Sequence, residues 1–212
     1  MAAHSAKAKI SESRFDSSYF SSGGYDTYRE DVLSWVGNAG RLIDRLLAGT
    51  PNPSILDAGC AHGFLITILQ EQHGMRVSGL EYSPYAIRHA EPAVRKRIRQ
   101  GNLLEPGSFP SNSFDLVSCL DVLEYFDRSG VERAIKNLVR WTKQYVLFSG
   151  LYRHSLQASQ KRNPDPLRIT TLSQEEFKKL FRDAGAPCVR RVNFGNGGDA
   201  FIFEKIKITK KS

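Results

Sequence analysis

The sequence predicts a single α/β domain built on a doubly wound, mostly parallel sheet that ends in an antiparallel β-hairpin. From residue 54 onwards, short apolar runs of strand length alternate with segments of helical periodicity. The last two β-rich runs, 189–194 and 200–206, are joined by five residues, which is too short for a helical crossover. A chain of 212 residues is long enough for one hydrophobic core and too short for two comfortable ones.

The first helix and strand are predicted from apolar spacing. Apolar positions in 32–47 recur at helical spacing, and Gly37 with Gly40 predicts a break in that helix. Residues 54–58 form a short buried strand. The following segment, 64–72, has helical periodicity and is terminated by His73-Gly74, since glycine favours the left-handed conformation at a helix end.

The next units begin with a strand over 77–80. Ser83-Pro84 then provides an N-cap followed by proline at the first helical position, which predicts a helix to about residue 94. Residues 114–120 form the third predicted strand.

Two further helices and a fourth strand are predicted before the terminal hairpin. Ser129 with Glu132 and Ser173 with Glu176 have the spacing of a capping box, and each pair precedes an apolar helical face. Residues 145–149 form the fourth strand, between these two helices. The terminal hairpin then places one antiparallel strand near the edge of the sheet.

The net charge of +8 is concentrated in two short segments. Residues 205–212 hold four lysines and no acid, and residues 91–99 contain four basic residues against one glutamate. Aromatic residues are not interleaved with these basic residues, although binding of single-stranded nucleic acid would favour such a pattern. A solvated surface is the favoured interpretation, and nucleic-acid binding is kept as an alternative.

Cysteine spacing and hydropathy indicate the compartment. The three cysteines are widely spaced without a CxxC pair, so neither a zinc site nor a disulfide framework is predicted. The apolar runs are shorter than the roughly 20 residues of a membrane span, and the first residues have no apolar signal core. We expect a cytoplasmic protein without a bound metal, and the sequence leaves its oligomeric state open.

The stretch SILDAGCAHGF, residues 54–64, leaves a strand and enters a helix, where doubly wound sheets bind ligands. A dinucleotide site requires G-x-G-x-x-G, but the corresponding positions here are Gly59, Ala61 and Phe64. Asp57 would repel a pyrophosphate and attract a ligand with a cationic head. These features favour a sulfonium nucleoside over NAD.

Glu81 follows the second strand, 24 residues after Asp57. A carboxylate at this place can accept hydrogen bonds from both ribose hydroxyls, each worth about 1.5–3 kcal/mol. Either acid alone could be a turn residue or a surface carboxylate. Because the two acids follow consecutive strands, together they predict S-adenosylmethionine (S-adenosyl-L-methionine) as the ligand.

With these motifs, the chain from about residue 54 to residue 206 resembles the class I S-adenosylmethionine-dependent methyltransferases. The glycine-rich first motif of that family is similar to LDAGCAHG, its ribose-binding acid to Glu81 in VSGLEYS, and its fourth-strand motif to FDLVSCLDVLEY. The resemblance implies a Rossmann-like, seven-stranded sheet whose final two strands are the C-terminal hairpin.

The resemblance also implies a set of cofactor contacts. The loop around Gly59 lies against the methionine portion, Tyr82 lies against adenine, Asn102 holds the adenine amino group beside the backbone of Leu103, and the backbone of Leu120 faces the methionine amino group. The implied cofactor-binding residues are Asp57, Gly59, Cys60, Gly63, Glu81, Tyr82, Asn102, Leu103 and Leu120.

Three positions depart from the family pattern. Ala61 replaces the commonest glycine, which an ordinary backbone conformation would tolerate at the cost of one extra methyl group beside the ligand. Asn102 replaces the usual aspartate and is a neutral acceptor. Tyr125 stands where small-molecule members often have histidine.

The sequence identifies the acceptor side less well. His154 follows the fourth predicted strand and is the candidate catalytic base, with a plain surface histidine as the alternative. Tyr152, Arg153 and Arg168 border the same region and are candidates for holding an anionic acceptor, with solvated loop residues as the alternative.

The N-terminal segment is rich in aromatic residues. We expect residues 1–50 to form an aromatic lid and a helical segment packed on the core, and residues 51–212 to form the S-adenosylmethionine-binding domain, with a single domain overall. The candidate lid residues are Tyr19, Phe20, Tyr25 and Tyr28, with packing of these residues against the scaffold as the alternative.

The predicted activity is methyl transfer from S-adenosylmethionine to an oxygen, nitrogen or carboxyl nucleophile of a small molecule. One alternative is methylation of RNA or another macromolecule held by the basic segment. Another is a non-catalytic module that binds a cofactor or a partner, because a fold does not fix a function.

Overall fold

The computed structural model describes residues 11–21, 28–152, 165–169, 172–195 and 200–206. Seven strands lie in these residues: β1 Ser54–Ala58, β2 Arg76–Glu81, β3 Ile98–Gln100, β4 Phe114–Leu120, β5 Thr142–Ser149, β6 Cys188–Val192 and β7 Ala200–Glu204. The α-helices in the same residues are α1 Ser17–Ser21, α2 Tyr28–Leu46, α3 Phe64–His73, α4 Pro84–Arg88, α5 Arg128–Trp141 and α6 Gln174–Asp183.

All seven strands form one sheet in the order β3-β2-β1-β4-β5-β7-β6. The pairs among β1 to β5 are parallel, whereas β7 runs antiparallel to both β5 and β6. The predicted doubly wound sheet with a terminal antiparallel hairpin is therefore confirmed. The strand order reverses between β1 and β4, so the carboxyl ends of these two strands border the crevice in which such sheets bind ligands.

Helices cover both faces of the sheet. Alternate residues of β1 point to opposite faces, so that Ile55 packs in the core beneath α2 and α3 while Leu56 packs in the core beneath α5 and α6. Both residues are fully buried. None of the helices in the described part of the chain combines the length and apolar character that a membrane crossing requires.

Several element boundaries differ from the sequence expectation. Helix α2 continues through Gly37 and Gly40 without a break. Packing explains this, because a Cβ atom at Gly40 would lie 3.0 Å from Cγ2 of Ile68 on α3, so the glycine allows the two helices to approach closely. Helix α4 ends at Arg88, earlier than expected, and the short edge strand β3 was not predicted.

The two predicted capping boxes have different outcomes. Ser173 and Glu176 form a capping box at the start of α6, as predicted. Helix α5 instead begins after Asp127, whose side chain accepts a hydrogen bond of 2.7 Å from the amide of Gly130. The predicted box at Ser129 is therefore wrong, because the chain turns into the helix two residues earlier.

The terminal hairpin is held against α6 by aromatic stacking. The rings of Phe181 on α6 and Phe203 on β7 stack with centroids 3.9 Å apart, and Phe148 on β5 packs against both. All three side chains are fully buried. This cluster joins the antiparallel part of the sheet to the helix that covers it.

We therefore expect Phe181→Ala to lower the free energy of unfolding by about 3–5 kcal/mol, because the substitution leaves a cavity in a packed core. Urea unfolding followed by circular dichroism measures this change. Leu33→Ala, at a side chain that is 43% exposed, is the control and should change stability by less than about 0.5 kcal/mol. Equal losses in the two variants would contradict the assigned core.

Candidate active site

A cavity of about 600 Å³ opens at the carboxyl ends of β1, β2 and β4. Its volume lies within the roughly 300–1,000 Å³ typical of small-molecule sites. Eight of the nine residues implied to bind the cofactor line it. These are Asp57, Gly59, Cys60, Glu81, Tyr82, Asn102, Leu103 and Leu120.

The loop after β1 depends on left-handed backbone conformations. Gly59 has φ 88°, and a Cβ atom there would lie 2.4 Å from Cγ2 of Val122. Gly63 does not line the cavity. It is the residue before α3, and its left-handed conformation, with φ 79°, turns the loop into the helix. Ala61 also has a positive φ of 45°, so the expectation of an ordinary conformation at this residue is wrong.

Glu81 is a buried carboxylate that joins this loop to the end of β2. One of its oxygens accepts a hydrogen bond of 2.8 Å from the amide of Ala61, and the other accepts one of 2.7 Å from the amide of Ser83. Burial raises the pKa of Glu81, and the two amides partly offset that effect. Each carboxylate oxygen has further acceptor capacity, so two neighbouring hydroxyls can be bound as well.

Asp57 lies at the switch point of the sheet. Its carboxylate accepts a hydrogen bond of 2.8 Å from the hydroxyl of Ser118 on the adjacent strand β4. Burial raises the pKa of Asp57 to about 7, with a smaller contribution from the charge of Glu81. The carboxyl group is therefore near the midpoint of its titration at neutral pH, and a nearby cation would favour its ionised form.

Asn102 and Leu103 form the side of the cavity beyond β3. The side-chain oxygen of Asn102 accepts a hydrogen bond of 2.9 Å from the amide of Leu104, which fixes the orientation of the side chain. The carbonyl of Leu103 accepts one of 2.7 Å from Asn137 on α5. Both residues are buried. This segment is thus held rigidly from two sides.

The N-terminal segment reaches the cavity through aromatic side chains. Phe15, Tyr19 and Phe20 line the cavity, and the hydroxyl of Ser83 donates a hydrogen bond to the carbonyl of Phe15. The ring of Phe20 stacks on Tyr85 of α4 at a centroid distance of 5.9 Å.

A hydroxyl network connects this segment to the loop after β4. The hydroxyls of Tyr19 and Tyr125 are 2.6 Å apart, and both donate toward one carboxylate oxygen of Asp165, at 3.2 and 3.1 Å. Residue 125 thus contributes a phenol that interacts with a buried carboxylate.

A second group of charges lies beside this network. Glu124 is 2% exposed, and burial raises its pKa to about 8, with the charge of Asp121 as the next cause. The guanidinium Nε of Arg168 lies 4.0 Å from Glu124 and 3.4 Å from Asp165. Asp121 has φ 56°, and its carboxylate accepts a hydrogen bond of 2.9 Å from the hydroxyl of Ser149.

Sequence reasoning did not identify Asp121, Glu124 and Asp165 as site residues. The available signal was the pair of acids in LDVLEY, which directly follows a buried parallel strand. Tyr152, a predicted border residue, is instead buried in the core against Phe177 and Phe201.

Other predicted residues are outside the described part of the structure. His154, Arg153 and Tyr25 lie outside the described residues, as does the side chain of Tyr28. The catalytic assignment of His154 therefore stays a prediction.

Comparisons with known proteins agree with this geometry. Residues 56–148 match a family model described as a methyltransferase domain. Among curated proteins, none matches the chain.

Solved structures share the fold at low sequence identity. Magnesium protoporphyrin IX methyltransferase from Synechocystis PCC 6803, with bound S-adenosylhomocysteine, has a TM-score of 0.67 and 19% identity over 89% of this chain and 97% of its own. The mitomycin 7-O-methyltransferase MmcR has a TM-score of 0.65 and 18% identity over 82% of this chain and 54% of its own. The [4+2]-cyclase SpnF has a TM-score of 0.62 and 14% identity over 80% of this chain and 81% of its own.

The family match covers the residues from β1 to β5, which include the glycine loop, Glu81 and the strand that precedes Asp121. The strand order and the terminal hairpin are those of the family that the motifs predicted. The match over residues 56–148 and the shared fold are those expected of a class I S-adenosylmethionine-dependent methyltransferase.

Proposed function

We propose that this protein transfers the methyl group of S-adenosylmethionine to a nucleophile on a small molecule held in the cavity beyond Leu120. One observation carries the proposal: the same cavity is lined by eight of the nine predicted cofactor residues and by further buried polar groups such as Glu124. Methyl transfer requires both partners in one site that excludes water, and alignment alone can contribute about 7–11 kcal/mol.

The cofactor end has groups suited to each part of S-adenosylmethionine. Glu81 has acceptor capacity for the ribose hydroxyls, Asn102 borders the place of the adenine, and Asp57 carries a charge that complements a sulfonium. Tyr82 and Leu103 supply apolar surface beside these polar groups. When bound, the cofactor supplies an activated methyl group, and these residues orient it and exclude water.

We further propose that the segment before residue 50 closes the site. Support comes from its contacts with two parts of the cavity wall. The carbonyl of Phe15 accepts a hydrogen bond from Ser83 in the turn after β2, and the hydroxyl of Tyr19 contacts Tyr125 and Asp165. Helix α2 packs against α3 through buried residues that include Val36 and Ile43. Residues 1–50 and 51–212 then act as one folded unit.

The contacts of the basic segment, residues 91–99, favour a small-molecule acceptor over RNA. Arg95 donates hydrogen bonds to the carbonyl of Ala90, and Arg99 donates to the carbonyl of Ser108 and lies over the ring of Phe109. Two of the four basic residues are thus engaged within the chain. A macromolecule would also have to reach a cavity that the N-terminal aromatic residues partly cover.

Removal of the Glu81 carboxylate should weaken cofactor binding. We expect Glu81→Ala to lower the affinity for both S-adenosylmethionine and S-adenosylhomocysteine by about 10- to 100-fold, because charge-assisted hydrogen bonds contribute about 1.5–3 kcal/mol. Isothermal titration calorimetry measures both affinities. Glu71→Ala, at an exposed site on α3, is the control and should bind like the wild type. Equal affinities in Glu81→Ala and the wild type would overturn the assignment.

The titration of Asp57 should appear in the preference for S-adenosylmethionine over S-adenosylhomocysteine. Only the former carries a sulfonium, so its binding favours the ionised carboxylate, which predominates above the pKa of about 7. The affinity for S-adenosylmethionine divided by that for S-adenosylhomocysteine should therefore rise between pH 6 and pH 8. Each unit by which S-adenosylmethionine lowers the pKa of Asp57 should raise this ratio by about tenfold.

Calorimetry at several pH values tests this expectation. In Asp57→Asn the ratio should no longer change with pH. A ratio that is flat in the wild type, or that rises equally in the variant, would show that another group is responsible.

A further inference from the structure

We propose that the acceptor is an amine with an apolar or aromatic body, bound as its ammonium ion at the end of the cavity formed by Asp121 and Glu124. This inference rests on the proposed function and names the substrate class of the same site. It follows from the charge of the cavity lining, from the ion pairs that Arg168 makes within the chain, and from the environments of Asp121 and Glu124.

The charge of the cavity is opposite to that of the chain. The chain has a net charge of +8, but acidic side chains outnumber basic ones in the described lining of the cavity by six to two. The acids are Asp31, Asp57, Glu81, Asp121, Glu124 and Asp127, and the bases are Arg133 and Arg168. In its ionised form, which a bound cation favours, such a lining attracts cations and repels carboxylates and phosphates.

Arg168 does not provide an anion site. Its Nε lies 3.4 Å from Asp165 and 4.0 Å from Glu124, and its side chain is 10% exposed. An anionic acceptor would have to compete with both carboxylates for this one guanidinium. The sequence-based idea that Arg168 holds an anionic acceptor is therefore disfavoured by its contacts.

Glu124 is a buried carboxyl group whose polar atoms are incompletely satisfied. Its Oε2 is inaccessible to solvent and accepts no hydrogen bond of normal geometry from the described residues. The nearby amides of Glu124 itself and Leu151 offset only part of the cost of burial. Leaving a buried acceptor unsatisfied costs about 1–3 kcal/mol, and more for a charged group, so a cation bound nearby would be stabilised by this carboxylate.

Asp121 presents the contact surface. More than a third of its surface is exposed, even though the residue lies deep at the end of β4, because that surface faces the cavity. Its left-handed backbone conformation, at φ 56°, directs the chain away from the strand at this point. Residues held in this region of the backbone map are enriched at functional sites. Asp121 thus contacts the ammonium, and Glu124 adds a second negative charge behind it once the bound cation has lowered the pKa of Glu124.

The surrounding walls suit the body of such an amine. Phe15, Tyr19 and Tyr125 form aromatic walls at this end of the cavity, and Ile169 adds an aliphatic one. Aromatic faces attract cations, with contributions of about 0.5–2 kcal/mol when water is excluded. Both the charge and the apolar surface therefore favour a hydrophobic amine.

The chemical step balances with these groups. The bound ammonium passes one proton to the carboxylate of Asp121, which leaves a neutral amine with its lone pair. That lone pair forms the new carbon–nitrogen bond while the carbon–sulfur bond breaks and its electron pair stays on sulfur. Burial raises the pKa of Asp121 and of Glu124, which brings these carboxyl groups closer to the pKa of an amine and eases the proton transfer.

Three probes of similar shape and different charge test the proposal. Benzylamine, benzyl alcohol and benzoate are titrated by calorimetry into protein saturated with S-adenosylhomocysteine. We expect benzylamine to bind at least about tenfold more tightly than the alcohol or the acid. A tenfold ratio corresponds to a difference of about 1.4 kcal/mol in binding free energy. Mass spectrometry with S-adenosylmethionine then detects N-methylbenzylamine.

Charge-neutralising variants locate the effect. Asp121→Asn and Glu124→Gln should each weaken benzylamine binding by about tenfold or more while leaving the affinity for S-adenosylhomocysteine within about threefold of the wild type. Asparagine tolerates the left-handed conformation of residue 121. Glu105→Gln, at an exposed site away from the cavity, is the matched control and should change neither affinity.

The outcomes separate this inference from the function on which it rests. If S-adenosylhomocysteine does not bind the wild type, the proposed function fails and the acceptor inference fails with it. If S-adenosylhomocysteine binds, then benzoate or benzyl alcohol binding as tightly as benzylamine overturns the amine inference alone. Absence of benzylamine binding at millimolar concentration, or unchanged binding in both variants, also overturns it.

Discussion

The site depends on the carboxylate of Glu81, which joins the ends of two adjacent strands. Its oxygens accept hydrogen bonds from the amides of Ala61, in the loop after β1, and Ser83, in the turn after β2. Ala61 has a positive φ and would not favour this conformation by itself, so the hydrogen bond to Glu81 helps to hold it. The shape of the glycine loop therefore follows from an acid 20 residues further along the chain.

Burial of several acids in a basic protein has an energetic consequence. Burial raises the pKa of Asp57, Glu81, Asp121 and Glu124. A carboxyl group whose pKa is higher in the folded state holds its proton there after the unfolded chain has lost it. These groups therefore favour folding most at low pH, and this contribution is lost as pH rises, for Asp57 toward about 7 and for Glu124 toward about 8. A bound cation would offset this loss of folding stability, so we expect the protein to be more stable with the site filled than with it empty.

The sequence predicted the fold well because its signals are local. Strands bounded by glycine and proline, Ser83-Pro84 at the start of α4, and the capping box at Ser173 each act within a few residues, and all are present in the structure. The unbroken helix α2 was not predictable, since Gly40 is explained by contact with Ile68 on another helix. The contacts of Asp165 with Tyr19 and Tyr125 likewise join residues 146 and 40 positions apart, which periodicity cannot relate.

The contrast between local signals and long-range contacts also separates the cofactor end of the cavity from the proposed acceptor end. The predicted cofactor residues lie at or just after the ends of β1, β2, β3 and β4, where their spacing in the sequence reflects the regular βα units. The proposed acceptor end is instead assembled from the loop after β4, the N-terminal segment and residues near Arg168, which have no fixed spacing. Among solved structures with this fold, one is named a cyclase and others methyltransferases, so the shared sheet does not determine the reaction. Under our proposal, the chemistry of this chain is decided by side chains such as Asp121 and Glu124, which lie in the loop after β4.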